Sequence, residues 1–250
     1  MRALNIPIWV IKNVKNWQTY FLNDLKLISA KTITLTLNNK TQYIIRPKTI
    51  DQHIINEIYM DKIYNPKGFE IKSTDTVLDI GAQIGIFSIY AAKKAKKGQV
   101  LSFEPTKENF SMLKENVEIN KLQNVKVFRQ AVGNKNGKLK IYLEHNTGGH
   151  TIINNGKNFI EATQICLDSI IKEQKLNQID FLKLDCEGSE YSILFNTKIE
   201  NLKKIKKISM EYHKLDKTKN AETLKTFLEK NGFQVETSNE NIGMLHAIKK

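Results

Sequence analysis

Residues 79–85 read DIGAQIG directly behind the apolar Thr76, Val77 and Leu78, and Glu104 follows in the segment VLSFEP. Much further along, Asp185, Glu187 and Glu190 stand in LDCEGSE, and Glu211 and His213 in ISMEYH. The first group suits the holding of a nucleotide-like ligand; the second contains the residue types that move protons. Glycine at 81 permits backbone angles closed to other residues, and glycine at 85 lets a helix approach a strand closely. A dinucleotide fingerprint has the form G-x-G-x-x-G, with its second glycine admitting a pyrophosphate to the backbone. Gln83 occupies that place here, so the pattern is G-x-x-x-G and favours S-adenosylmethionine over a dinucleotide. Glu104 is placed to accept hydrogen bonds from two ribose hydroxyls, as an acid does after the second strand of nucleotide-binding units. Asp79 is placed to orient the glycine loop and to face a cationic ligand end.

These residues need a scaffold that brings strand ends together, and the pattern from residue 75 onward supplies one. Strands are predicted at 76–80, 99–103, 125–130, 180–185 and 206–212, and helices at 84–95, 107–120, 189–195 and 219–230. That alternation implies a parallel sheet with helices on both faces. Two further strands, 233–237 and 243–248, are joined by a short polar turn and must be antiparallel. The expected fold class is therefore α/β, a class I methyltransferase (Rossmann-like) sheet, mostly parallel with a C-terminal antiparallel hairpin. Before it, residues 8–28 are loosely helical, and 32–37 and 42–45 form a hairpin about Asn38 and Asn39. Thr49 or Asp51 is expected to cap a helix running through Tyr64. We read residues 1–70 as an N-terminal helical and hairpin extension packed on the main domain, and 71–250 as the methyltransferase domain. Residues 144–156 form a polar loop with Gly148, Gly149 and His150, of the kind used as a lid or substrate loop; His150 is read as a surface histidine.

Composition narrows the partners. The chain has 250 residues, a formal net charge of +13 and two cysteines, Cys166 and Cys186. Two cysteines without a C-x-x-C spacing exclude a disulfide framework and a cysteine zinc site, and suit a cytoplasmic location. Both are read as small packing residues. No apolar run reaches the ~20 residues that span a bilayer, and Trp9 and Trp17 are expected to pack onto the domain. Of the 39 basic residues only Arg2, Arg46 and Arg129 are arginine, the preferred bidentate phosphate reader. The excess is lysine within a Lys-, Ile- and Asn-rich composition, so nucleic acid is not expected as a partner.

In open α/β sheets ligands bind beyond the carboxyl ends of the strands, near the switch point of the strand order. The first strand ends at Asp79, the second at Glu104, the third near Ala131 and Val132, the fourth at Asp185 and the fifth at Glu211 to His213. Glu187 and Glu190 suit the positive N-terminal end of a helix. Asp185 closes a buried strand marked by Leu182 and Leu184, where an apolar residue is the norm and an acid points to function.

The segments DTVLDIGAQIGIFSIYAA, VLSFEPTKENFSMLKEN, QAVGNKNGKL, IDFLKLDCEGSEYSIL and ISMEYH, in that order, resemble the FkbM family of S-adenosylmethionine-dependent methyltransferases. KLDCEGSE, matching K-x-D-x-E-G-x-E, is the most discriminating of them. Gln83 departs from the asparagine usual in the family. The resemblance implies methyl transfer to hydroxyls of sugars, polyketides or other natural products, with a small-molecule hydroxyl acceptor, glycans included. It implies that Asp79, Gly81, Gly85 and Glu104 bind the cofactor, with Ala131 and Val132 flanking its adenine. Ala82, Gln83 and Ile84, Pro105 after Glu104, and Asp185 complete the expected cofactor site.

An alcohol losing its proton as it is methylated needs a base within hydrogen-bond reach. Asp185 and His213 are the candidates, with Glu187 orienting the acceptor. A metal-free reaction is expected, Mg²⁺ or Mn²⁺ on the carboxylates of this rim being the alternative. EPTKENFSMLKENVEINKLQNVKV also resembles tRNA guanine-N1 methyltransferases, and a non-catalytic cofactor-binding module is a third reading. LDCE stands where base-amino methyltransferases carry a D/N-P-P-Y motif, which disfavours the RNA reading.

Overall fold

A strand with both faces buried belongs at the centre of a parallel sheet. All four side chains of residues 181–184 are buried, as are four of five at 76–80 and at 99–103. A computed structural model describes residues 2–143, 150–151, 159–238 and 240–250 and builds its main sheet on these three segments. Ahead of that sheet lie α1 (Arg2–Asn13), α2 (Trp17–Asp24), the hairpin of β1 (Ile33–Thr36) and β2 (Gln42–Ile45), and α3 (Asp51–Asn56), which continues as a π-helical turn, Glu57–Asp61. The sheet begins with β3 (Thr76–Ile80), α4 (Ile86–Lys94), β4 (Gln99–Phe103), α5 (Lys107–Ile119) and β5 (Val125–Phe128). There follow β6 (Ala131–Gly133), β7 (Gly137–Leu143), β8 (His150–Thr151) and β9 (Phe159–Cys166). The chain then runs through α6 (Leu167–Glu173), β10 (Phe181–Leu184), α7 (Glu190–Asn196), α8 (Ile199–Leu202) and β11 (Lys207–His213). It finishes with α9 (Ala221–Lys230), β12 (Phe233–Thr237) and β13 (Ile242–Lys249).

The seven strands lie in the order β12-β13-β11-β10-β3-β4-β5. From β11 to β5 all neighbours are parallel, and β13 is antiparallel to both β11 and β12. This is the expected class I arrangement with its antiparallel hairpin. The hairpin is not simply appended: β13 enters between β11 and β12, so both strands of the tail depend on it. Alternation along the strands splits the core between the faces. Leu78, Leu101 and Leu182 pack with α6, α7 and α9 on one side. Val77, Val100 and Phe181, each one residue earlier, pack with α4 and the N-terminal hairpin on the other.

Tyr43, Ile45, Ile55 and Ile58 share that second core with Ile84, Ile86 and Phe87. Two asparagines, Asn116 of α5 and Asn120 just past its end, bind the outer edge of the hairpin. Asn116 bonds both the N–H and the C=O of Ile44, at 2.6 and 3.0 Å, and Asn120 does the same for Gln42, at 3.0 and 2.6 Å. A backbone edge satisfied this way is closed to further pairing.

Several expectations are corrected. Asp51 does not cap α3: Ile50 takes that place without a side-chain bond, and Asp51 is fully buried in a bidentate pair with Arg46. The helix does not run through Tyr64; its α-helical part stops at Asn56, and Lys62 is left-handed at φ 54°. The third strand stops at Phe128, and Ala131 and Val132 belong to a second sheet of order β6-β9-β7-β8. Its organiser is β9, a strand the sequence reading lacked, which pairs in parallel with β6 at Ala131 and Gln164. Neither Cys166 nor Cys186 is fully buried. The loop at 144–156 lies outside the described residues apart from His150 and Thr151 in β8, and so does the side chain of His150. Trp9 does pack, against Tyr59 at 6.3 Å between rings, while Trp17 is 37% exposed. Among the described residues no helix is long and apolar enough to cross a membrane.

Candidate active site

The turn after β3 is fixed by backbone sterics. Gly81 has φ 78°, and a Cβ there would stand 1.7 Å from the carbonyl oxygen of Asp185. Gly85 has φ 89°, and its Cβ would meet Leu113 of α5 at 2.4 Å. At 81 the obstacle is backbone and no side chain fits; at 85 it is the tip of the Leu113 side chain, added to the strain of a positive φ. Between them Gln83 is left-handed at φ 51°. Its backbone N–H donates to Glu104 Oε2 at 3.0 Å, and its side-chain Nε2 donates to Asp51 Oδ1 at 2.8 Å. The loop is thus tied to the acid after β4 on one side and to the N-terminal Arg46–Asp51 pair on the other.

Asp79 lies beneath this loop, fully buried, and is not part of the cavity wall. Ser88 Oγ donates to its Oδ2 at 2.5 Å, and Lys183 Nζ stands 3.2 Å from its Oδ1. Parallel register puts Lys183 directly across from Asp79. The same ammonium donates to the Gly81 carbonyl at 2.7 Å and lies 3.4 Å from Asp185 Oδ2. Burial acts to lower the pKa of Lys183, but Asp79 and Asp185 outweigh it and raise it, so the residue stays charged. Asp79 therefore shapes the glycine loop through Lys183.

Above the strand ends is a cavity of about 290 Å³. It crosses the strand order from Glu104 after β4 to Glu211 on β11, three strand spacings or about 14 Å. One part of its wall is apolar: Phe103, Ala131, Val132, Leu139 and Ile141. Gly81, Ala82, Gln83 and Pro105 also line it, whereas Ile84 and Gly85 do not. Ile84 is fully buried in the core behind the loop. Glu104 is 5% exposed and accepts from Thr106 N and Oγ1 at 2.9 and 2.6 Å as well as from Gln83. Burial raises its pKa against the pull of those hydrogen bonds.

The other part is acidic: Glu57, Asp185, Glu187 and Glu211 all line it. Asp185 accepts the Tyr64 hydroxyl at 2.8 Å. Glu190, fully buried at the start of α7, accepts from Cys186 N and Gly188 N at 3.2 and 3.1 Å and so shapes the turn that carries Glu187. His213 is not part of the wall. Its Nε2 is 3.1 Å from Glu187 and 3.6 Å from Glu211, and its Nδ1 is 3.9 Å from Glu190, too far for a hydrogen bond. Burial would lower the imidazole pKa, but Glu187 and Glu190 push it up from 6.5 to about 10. Burial and then Asp185 raise Glu211 to about 7, His213 pulling the other way and Glu187 and Glu57 adding to the rise. Burial also pushes the Cys186 thiol well up, with Glu190 and Asp185 adding to it, so it is no ready nucleophile. Among the described residues no group of three or more His, Cys, Asp or Glu side chains is arranged to hold a metal ion.

The structure thus brings the glycine loop, Glu104, Ala131, Val132, Asp185 and Glu187 to one cavity, with Asp79 and His213 behind it. Sequence reasoning missed Lys183, Tyr64 and Glu57. A signal existed for Lys183: a lysine between two leucines in a strand with both faces covered must be buried, and a buried cation needs an anion.

An apolar wall, a buried acid after β4 and a carboxylate-lined end in one cavity fit the chemistry of S-adenosylmethionine, an adenosine carrying a cationic sulfonium. Fold and cavity together define a class I, S-adenosylmethionine-dependent methyltransferase. The model of the methyltransferase FkbM domain matches residues 79–235, and the chain belongs to the FkbM family. It is 25% identical over 228 residues to the AMB antimetabolite synthetase AmbE of Pseudomonas aeruginosa, a match to 74% of this chain but only 11% of that protein's length. It is also 25% identical over 198 residues to the 31-O-demethyl-FK506 methyltransferase FkbM of Streptomyces tacrolimicus, covering 66% of this chain and 75% of the relative. Among solved structures, methyltransferase FkbM from Methylobacillus flagellatus superposes with a TM-score of 0.52 at 16% identity, over 77% of this chain and 47% of that one, a likeness of fold.

Proposed function

We propose that this enzyme methylates a hydroxyl group on a sugar or natural-product-like small molecule. The observation that carries the reading is the single cavity joining the glycine loop and Glu104 to the carboxylate rim of Asp185, Glu187 and Glu211. When bound, S-adenosylmethionine supplies an electrophilic methyl group on a sulfonium. In this reading Glu104 holds the ribose, Ala131 and Val132 flank the adenine, and Gly81, Ala82, Gln83 and Pro105 form the rest of the cofactor wall. Asp79, Ile84 and Gly85 act from behind, by holding the loop in shape. Asp185, Glu187 and His213 form the acceptor end: Asp185 faces the cofactor's cationic part, and His213 fixes Glu187. Hard, neutral hydroxyls need a proton acceptor there, and carboxylates supply one. The name of the Streptomyces relative, which refers to an O-demethyl substrate, supports oxygen as the accepting atom. Residues 1–70 serve as an extension that completes the acceptor wall through Glu57 and Tyr64.

The test has two stages. S-adenosylmethionine, and not NAD, should raise the melting temperature. Methyl-labelled cofactor should then be offered with pooled hydroxylated small molecules, with amines and with tRNA. Label in an ether product supports the reading; label in tRNA alone overturns it.

A further inference from the structure

Four carboxylates line the acceptor end, and three have other engagements. Asp185 Oδ2 already accepts the Tyr64 hydroxyl at 2.8 Å and faces Lys183 Nζ at 3.4 Å. Glu187 is paired with His213 at 3.1 Å. Glu57 lines the cavity from the π-helical turn rather than from a strand end, and it too has a partner. Glu211 differs. It stands two residues before the end of β11 and lines the cavity, its side chain is 30% exposed, and among the described residues its carboxylate accepts no hydrogen bond. Its one charged contact at close range is His213 Nε2 at 3.6 Å.

We propose that Glu211 is the general base of the transfer, with His213 as the residue that positions it; this rests on the O-methylation reading above. The hydroxyl proton of the acceptor passes to the Glu211 carboxylate as the oxygen–methyl bond forms and the methyl–sulfur bond breaks. The sulfonium leaves as a neutral thioether, and the proton is later released to solvent. The groups around Glu211 suit the task. Burial first, then Asp185 just past the end of β10, and then Glu187 from the following turn and Glu57 from the π-helical turn disfavour its ionised form, while His213⁺ from its own strand favours it. A carboxylate brought to about 7 in this way is a better proton acceptor than an ordinary one and is still ionised in about half of the molecules at neutral pH. His213 itself, held as an imidazolium, has no lone pair with which to accept a proton.

The experiment uses the full chain, methyl-labelled S-adenosylmethionine and a set of hydroxyl probes (methyl glycosides, glycerol and catechol). Glu211→Gln should lower kcat by roughly 10²–10⁴-fold, leave cofactor Kd within about twofold as a check on folding, and abolish the rise in rate through neutral pH. Glu211→Asp, which keeps the carboxylate, should retain that rise at a reduced rate. His213→Gln should move the rise to higher pH, because loss of the imidazolium raises the pKa of Glu211. A Glu211→Gln enzyme with wild-type rate or an unchanged pH profile overturns the assignment. So does a Glu211→Asp enzyme as inactive as the glutamine variant with normal cofactor affinity, which would mark a packing role. If wild-type enzyme labels amines and no hydroxyl probe, the O-methylation reading falls and the base falls with it.

Discussion

Lys183 Nζ donates to the carbonyl oxygen of Gly81 at 2.7 Å, so the central strand β10 grips the glycine loop from below. The same ammonium neutralises Asp79, which is fully buried. Loop shape and buried charge are therefore one problem with one solution. Lys183→Met should cost about 3–5 kcal/mol, the usual penalty for leaving a buried partner unpaired. Adding Asp79→Asn should recover much of that loss. A urea-denaturation cycle of the two single variants and the double variant checks this; additive losses would mean the two charges do not sense each other.

Gly81→Ala should be severe and Gly68→Ala mild, although both glycines have positive φ, 78° and 92°. A Cβ at 81 meets the Asp185 carbonyl at 1.7 Å, whereas one at 68 meets nothing within 4 Å. Left-handed strain alone is worth ~1–2 kcal/mol, and overpacking adds ~1–3 kcal/mol. Denaturation midpoints of the two variants should rank in that order, with position 68 losing about 1 kcal/mol.

Glu104→Gln should weaken S-adenosylmethionine binding by about 1–3 kcal/mol, or roughly 5- to 150-fold in Kd, through loss of charge-assisted bonds. Calorimetry on the folded variant gives the answer directly. Unchanged affinity would remove Glu104 from the cofactor site.

His213 makes stability depend on pH. Its folded-state pKa is raised, from 6.5 to about 10, so the native state holds a proton that the unfolded chain releases. The stabilisation is fully present below about pH 6.5 and fades as pH rises toward 10. The stability difference between wild type and His213→Gln should therefore shrink steadily over that window. A constant difference from pH 6 to 10 would show that the imidazole is not charged.

The net charge of +13 should give weak, non-specific association with tRNA that fades steeply with salt. Gel-shift titrations at several salt concentrations test this. Nanomolar binding that survives physiological salt would favour an RNA substrate instead.

The sequence shows the glycine loop and Glu104 plainly because each answers to a local rule: glycine where φ is positive, an acid at a strand tip. Lys183 is less visible, since its meaning depends on Asp79, far away in the chain and adjacent only through parallel register. Tyr64 was hidden by reading one continuous helix; the widening at Glu57–Asp61 and the left-handed Lys62 precede the bend that brings its hydroxyl to Asp185. The second sheet escaped because β9 has an irregular burial pattern, with Ala162, Gln164 and Ile165 buried among exposed neighbours, so no clean alternation marks it. His213 is legible as a candidate base beside Asp185, but the upward push on its pKa is not, because that comes from Glu187 and Glu190, after β10 and distant in the chain.

The position of β13 has a consequence for the order of assembly. β12 joins the sheet only through β13, and β11 has no partner on that side until residues 242–249 arrive. The β12–β13 hairpin is local and can form within microseconds, yet it must then be seated as a unit against β11. Until it is, the strand carrying Glu211 and His213 is an open edge. Ligand affinity should consequently appear late in refolding, after most helical signal has returned, with the Glu211 end of the cavity the last part of the molecule to mature.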